Sequence, residues 1–248
     1  MLRVENLSKN YGGLAVLHNV SFSIERSEKV ALIGPNGAGK TTMLNIVSGL
    51  TRPTSGRIYF LDKEITNLPA HKRVSLGIGR SFQMNTLFPN LSLLHNVSLA
   101  VQSTKSIRLQ MLRPLDSYGD ILNEAKILLG LVNFWNKRYT AVSTLSHGEQ
   151  RRVEILLALA SNAKLLLMDE PSAGLATGET VELINIIRSL AGDITVFFCG
   201  HDMELVFSLA DRVMVLCGGQ IIADGTREEI QTDPKVSEVY LGTENENA

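Results

Sequence analysis

Short apolar runs closed by turn residues recur along the chain, at residues 20–24, 30–33, 165–168, 195–198 and 213–216. Each has the length of a buried strand, and stretches with helical spacing separate several of them. That alternation predicts a largely parallel sheet covered by helices. Earlier segments at 2–4, 14–17, 20–24 and 56–60 predict an added antiparallel layer near the N-terminus. Near the end, Cys217-Gly218-Gly219-Gln220-Ile221 carries a Gly-Gly hairpin signal. From about residue 91 to 160 the strand pattern stops. There Val153, Leu156, Leu157 and Ala160 recur at i, i+3, i+4, i+7, the stripe of an amphipathic helix. The expectation is one α/β domain over residues 1–248, with a helical subdomain inserted at about 87–161. The polar, acidic end, residues 243–248, is expected to fray.

Composition narrows the class. The 248 residues are 44% hydrophobic and 20% charged, the balance of an ordinary folded chain with a sizeable core. Lys plus Arg number 24 and Asp plus Glu 25, a net charge of −1. No bulk positive field gathers nucleic acid or anionic lipid, so no nucleic-acid partner is expected. Cys199 and Cys217 stand far apart without metal-ligand spacing and read as reduced thiols. The N-terminus lacks a basic-then-apolar leader, and no apolar run approaches about 18 residues, so the chain is expected to be neither secreted nor membrane-spanning by itself.

The run at 30–33 leads straight into Gly34-Pro35-Asn36-Gly37-Ala38-Gly39-Lys40-Thr41-Thr42, and a helical pattern follows. This is G-x-x-x-x-G-K-[ST] between a strand and a helix, the setting in which the motif has meaning. Glycines let successive N–H groups curl toward phosphate oxygens, and the helix start adds partial positive charge. Lys40 can reach the β- and γ-phosphates, and the Thr41 hydroxyl can ligate Mg²⁺.

A second apolar run ends in Asp169-Glu170-Pro171. Carboxyl ends of strands form the ligand crevice of open α/β sheets, so this pair can meet the phosphate loop there. Asp169 suits a Mg²⁺ position in the inner or outer shell. Glu170 suits a residue that orients or deprotonates the water attacking a γ-phosphate.

Between these elements stands Leu145-Ser146-His147-Gly148-Glu149-Gln150. With it the chain resembles the ATP-binding subunits of ABC transporters, whose signature is L-S-G-G-Q, and three motifs stand in the family's order. His147 replaces the first signature glycine and Glu149 the glutamine; Ser146 and Gly148 are kept. Ser146-x-x-Glu149 before a helical run is also a capping box, and the two readings are compatible. The resemblance implies a P-loop ATPase core. It implies that this helix end, Ser146 through Glu149, contacts the γ-phosphate held by a second, facing ATPase subunit, identical or a paralogue. It also implies adenine stacking on Tyr11, a metal-binding Gln83 in the loop after Arg80-Ser81-Phe82, and γ-phosphate sensing by His201. Ser172-Ala173-Gly174-Leu175-Ala176 stands where the family has S-A-L-D, with Ala176 in place of the aspartate.

Residues 79–83, 87–91, 145–155 and 233–242 are similar to one importer group, the ATPases serving branched-chain amino acids, urea and short amides. Residues 145–155 also resemble the ATPase of lipopolysaccharide export. The resemblance thus implies ATP hydrolysis with Mg²⁺, integral membrane permease subunits as partners, and a peripheral position on the cytoplasmic face of the inner membrane. Lys40, Gln83, Glu170 and His201 are the expected catalytic residues, with Thr41, Gln83 and Asp169 around the metal. Leu87, Phe88, Leu91 and Leu93 line either a groove for the permease or the core of the helical subdomain. A soluble signature-bearing ATPase, or a small-molecule kinase or GTPase, are the competing readings.

Overall fold

In the computed structural model, which describes residues 1–81, 87–105, 118–190 and 194–242, the expected parallel strands lie side by side. β3 (Lys29–Ile33), β6 (Ile78–Ser81), β7 (Leu165–Asp169), β8 (Thr195–Cys199), β9 (Arg212–Cys217) and β10 (Gln220–Gly225) form one sheet, ordered β10-β9-β3-β8-β7-β6. All neighbours pair parallel except the β9–β10 hairpin. Its Gly218 and Gly219 sit at φ +53° and +77°, the left-handed pair that a two-residue hairpin turn requires.

The parallel strands of this sheet bury both faces, and the pleat divides them between two cores. Ala31, Ile33, Leu166, Met168, Val196 and Phe198 face the helical side. Their neighbours Val30, Leu32, Leu165, Leu167, Phe197 and Cys199 face the helix α1 (Lys40–Ser48) and the antiparallel layer.

That layer is a four-stranded sheet, β2-β1-β4-β5, built from β1 (Leu2–Tyr11), β2 (Leu14–Ile24), β4 (Ser55–Phe60) and β5 (Lys63–Glu64). The segments expected at 14–17 and 20–24 are one strand. Asn19 takes φ +51° where the register shifts, so the strand bends without ending. β1 likewise continues past residue 4, because Lys9, Asn10 and Tyr11 still pair with β2.

β6 is an edge strand that the hydrophobic pattern did not mark, since Gly79 and Arg80 break its apolar run. A Cβ on Gly79 would lie 2.8 Å from the Ala158 carbonyl oxygen; the helix α5 (His147–Ala160) packs directly on this strand's backbone. Between β6 and β7 the described α-helices are α3 (Leu93–Ser103), α4 (Gly119–Leu131) and α5. On α5, Val153, Leu156 and Ala160 are buried as expected and Leu157 is half-buried. Ile155, Ala158 and Leu159 are buried too, because α5 lies between β6 on one side and α3 and α4 on the other.

Leu93 is fully buried in this core and lines no groove; Phe88 is 56% exposed. The buried Asn96 holds the loop before α3, accepting from Phe88 N (2.8 Å) and donating to Phe88 O (3.1 Å). The remaining helices are α2 (Ala70–Leu76), α6 (Thr177–Ser189), α7 (Met203–Leu209), α8 (Arg227–Thr232) and α9 (Pro234–Gly242). Among the described residues no helix is long and apolar enough to cross a membrane.

Candidate active site

The phosphate loop runs from the end of β3 to the start of α1. A Cβ on Gly34 would lie 2.0 Å from the Leu216 carbonyl oxygen, so this position admits only glycine. Gly39 caps α1 at φ +106° and leaves its first turn with neither a side-chain cap nor an acidic residue. The helix start therefore keeps its partial positive charge and offers N–H donors to an anion. Asn36, Gly37 and Thr41 are exposed, Pro35 and Thr42 half-buried and Ala38 buried. Lys40 is 7% exposed, and its Nζ donates to Gly34 O (2.7 Å) and Pro35 O (3.0 Å), which hold the ammonium over the loop.

At the far end of α1 lies Arg73, 1% exposed. It donates to Ile46 O (2.7 Å), Val47 O (2.9 Å), Thr66 O (2.9 Å) and Leu68 O (2.9 Å). Burial brings its guanidinium down to about 10, so it stays protonated at neutral pH. A buried cation thus satisfies the last carbonyls of the helix whose first turn faces the phosphate loop.

Asp169 ends β7 at 2% exposure. The Thr41 hydroxyl lies 3.4 Å from its Oδ1 and the Arg80 guanidinium 3.5 Å from its Oδ2. Burial pushes the Asp169 carboxyl up; Arg80 and Thr41 pull it back. Next in the chain, Glu170 takes φ +46°, a left-handed backbone that branched and bulky residues avoid. Its N–H donates to Cys199 O (2.8 Å), and its Oε1 lies 3.5 Å from Nδ1 of His201, on the exposed loop after β8. Asp202 caps α7 just beyond, accepting from Leu205 N (3.2 Å). Gln83 lies outside the described residues.

Two hard oxygen donors, Thr41 Oγ1 and Asp169 Oδ1, stand together beside the phosphate loop. Together with a charge that burial leaves under-compensated, they suit a small cation that keeps most of its ligands from water and phosphate. Among the described residues no three His, Cys, Asp or Glu side chains form an all-protein metal cage.

The signature segment opens α5. Ser146 is its N-cap: the hydroxyl accepts from Glu149 N (3.2 Å) and Glu149 Oε2 accepts from Ser146 N (3.0 Å), the expected capping box. Glu149 Oε1 also takes Lys137 Nζ at 2.6 Å, and that bond holds the carboxyl below its usual range. Ser146 and His147 are exposed and Gly148 is buried. A Cβ on Gly148 would lie 2.2 Å from Glu179 Oε1, so α6 presses on the signature backbone. Glu179 Oε2 in turn accepts from Ala176 N (3.1 Å), which stabilises the start of α6 where Ala176 has no capping side chain. Tyr11, at the end of β1, is 48% exposed, with the Lys9 ammonium 4.5 Å from its ring centre.

The family model of the ABC transporter matches residues 17–173, and that of the branched-chain amino acid ATP-binding cassette transporter matches residues 220–246. The chain belongs to the ABC transporter family of ATP-binding proteins. It is 36% identical to the high-affinity branched-chain amino acid transport ATP-binding protein BraF of Pseudomonas aeruginosa, over 98% of both chains. It is also 36% identical to the lipopolysaccharide export system ATP-binding protein LptB of Acidithiobacillus ferridurans, over 98% of this chain and 97% of that one. A solved dimer of the ATP-binding cassette MJ0796, bound to ADP and Pi, overlays with a TM-score of 0.77 at 26% identity, covering 91% of this chain and 98% of that one. The chain is an ABC ATPase of the expected α/β fold, and cassettes of this family bind ATP or ADP, dimerise and work with membrane permease components.

In this ABC cassette two arginines passed over by the motif reading reach the acidic pair. Arg80 Nη1 donates to Asn45 Oδ1 (2.6 Å) and Ser48 Oγ (3.0 Å), joining α1 to Asp169. Arg151 on α5, 8% exposed, donates to three successive backbone carbonyls: Asp169 O (2.9 Å), Glu170 O (3.2 Å) and Pro171 O (3.3 Å). Its Nη1 meets the buried Glu154 at 2.7 Å. The sequence shows Arg151 and Glu154 three apart, the spacing of an ion pair within one helix, but nothing in it points either arginine at the acidic pair.

Proposed function

We propose that this ABC ATPase powers an importer of branched-chain amino acids, sitting peripherally on the cytoplasmic face beneath integral membrane permease subunits. The observation that carries the ATPase chemistry is the meeting of Thr41, Asp169, Glu170 and His201 at the carboxyl ends of β7 and β8, beside the phosphate loop. For the cargo, the support is the match of residues 220–246 to the branched-chain model together with the likeness to BraF. The equal identity to LptB makes export the second reading. Residues 1–248 act as one ATP-binding domain, with the helical subdomain at about 87–161.

Residues Gly34 to Thr42 wrap the phosphates, and Lys40 exchanges its two loop carbonyls for phosphate oxygens. Tyr11 supplies a face for the adenine. Thr41, Asp169 and Gln83 would hold Mg²⁺, which would supply positive charge to offset that of the phosphates. Glu170 accepts the proton of the attacking water, and His201 donates a hydrogen bond to the γ-phosphate. Ser146, His147, Gly148 and Glu149 complete the site of a facing second subunit, so that each ATP bridges two copies or two paralogues. The change on hydrolysis reaches the permease through Gln83 and the exposed Phe88, which Asn96 ties to α3.

Glu170→Gln should lower steady-state turnover at least about 100-fold, the usual weight of a general base, and leave an ATP-bound dimer that survives gel filtration. Undiminished turnover removes Glu170 from the mechanism. Membrane proteins that co-purify in mild detergent, followed by uptake of labelled leucine in reconstituted vesicles, test the importer reading. Co-purification with an export complex and no uptake would favour the second.

A further inference from the structure

The signature helix and the catalytic glutamate of one chain belong to different ATP sites in the dimer proposed above, yet here they are mechanically joined. Glu170 stands on a left-handed turn (φ +46°) that a non-glycine residue holds only when its surroundings impose it. From the β8 side the turn is fixed by the bond from Glu170 N to Cys199 O (2.8 Å). From the other side it is fixed by Arg151, whose fork takes the carbonyls of Asp169, Glu170 and Pro171. Arg151 lies five residues after Ser146 on the rigid first turns of α5. Its charge is balanced within the same helix by Glu154, 5% exposed, so the fork is oriented before any ligand arrives. Beside it, Arg152 pairs with Glu182 of α6 at 2.5 Å, and Gly148 lies under the Glu179 carboxylate, so side chains of α6 also touch the first turns of α5.

We propose that Arg151 is a positioning residue for hydrolysis: it transmits the seating of the signature helix on the facing subunit's nucleotide to the Glu170 turn of its own site. The inference rests on Glu170 acting at the γ-phosphate. It goes beyond that reading by naming the link between the two composite sites. Ala176 lacks the carboxylate that the family has in the intervening loop, and Arg151 supplies a separate backbone connection between the same elements.

Kinetics with Arg151→Met and Arg151→Lys, alone and combined with Glu170→Gln, test this. Arg151→Met should lower the single-turnover hydrolysis rate by about tenfold or more, as loss of a precisely held reacting group does, while binding of a fluorescent ATP analogue stays within about twofold. Arg151→Lys keeps the charge opposite Glu154 but not the fork, and should lose about three- to fivefold. In the Glu170→Gln background Arg151→Met should cost less than about twofold further, because the residue acts through Glu170. Unchanged hydrolysis, a parallel loss of nucleotide binding, or a full additional loss on top of Glu170→Gln would each overturn the proposal. Should Arg151→Met not fold, Arg151→Lys carries the same cycle. Undiminished turnover in Glu170→Gln alone would instead refute the underlying reading of Glu170.

Discussion

The starts of α1 and α5 both read as anion-binding helix ends, yet they are finished differently. The α1 end has a glycine cap, no acidic residue in its first turn, and Lys40 folded over it. At the α5 end Ser146 and Glu149 satisfy the terminal N–H groups reciprocally, and a carboxylate already stands on the dipole. The far ends differ as well. α1 terminates on the buried Arg73, whereas the last turn of α5 has no basic residue. One helix is polarised along its length toward a phosphate; the other is neutralised at its tip by its own sequence. The difference teaches that the phosphate loop supplies the strong, always-ready half of the site. The signature end is the weaker half, and in the dimer proposed above a partner's nucleotide would engage it against competition from Glu149.

The contrast breaks most sharply when each end is disabled in turn. Lys40→Met and Ser146→Arg should both lower turnover at least about 100-fold. Only the lysine variant should lose binding of a fluorescent ATP analogue by the isolated subunit. A signature variant that keeps full turnover would point instead to a kinase-like or GTPase-like site without a facing subunit.

Arg73→Met comes next. Leaving buried carbonyls unpaired at about 1–3 kcal/mol each, with some relaxation, should cost about 3 kcal/mol, or roughly 6–12 °C in Tm by calorimetry for a chain this long. ATP affinity should weaken by less than about tenfold, because the dipole at the α1 start survives in its first turn.

The smallest effect tests the α5 end directly. Glu149→Gln restores the family's residue and should lower the ATP concentration for half-maximal dimerisation about two- to fivefold, measured in the Glu170→Gln background. The same change removes the pair with Lys137. Because the Glu149 carboxyl is held below its usual range in the folded chain, its stabilisation is present above the ordinary carboxylate pKa and is lost as pH falls through the folded value. Chemical denaturation should therefore separate Glu149→Gln from the parent at neutral pH and show them converging in acid.

Much of this was legible locally. The phosphate loop is a strand, a glycine turn and a helix start in unbroken succession, and the capping box from Ser146 to Glu149 is four residues of chain. The hairpin at Gly218-Gly219 and the apolar strand before Asp169 are equally local. β6 was not legible, because its four residues include Gly79 and Arg80 and only pairing with the distant β7 makes it a strand. Burial of Ile155, Ala158 and Leu159 was not legible either, since a stripe of spacing does not say that a sheet and two helices lie on opposite sides.

The sequence by itself determined the chemistry at the phosphate end: an apolar strand, glycines and Lys40 in a fixed order leave the chain one way to turn, and Asp169-Glu170 closes a second strand beside it. Only the tertiary structure decided which charges hold that chemistry in register. Arg73, Arg80 and Arg151 act on carbonyls and carboxylates 18 to 89 residues away, and a guanidinium buried for such a purpose carries no local pattern, because its partners are brought to it by the packing of strands and helices that had to form first.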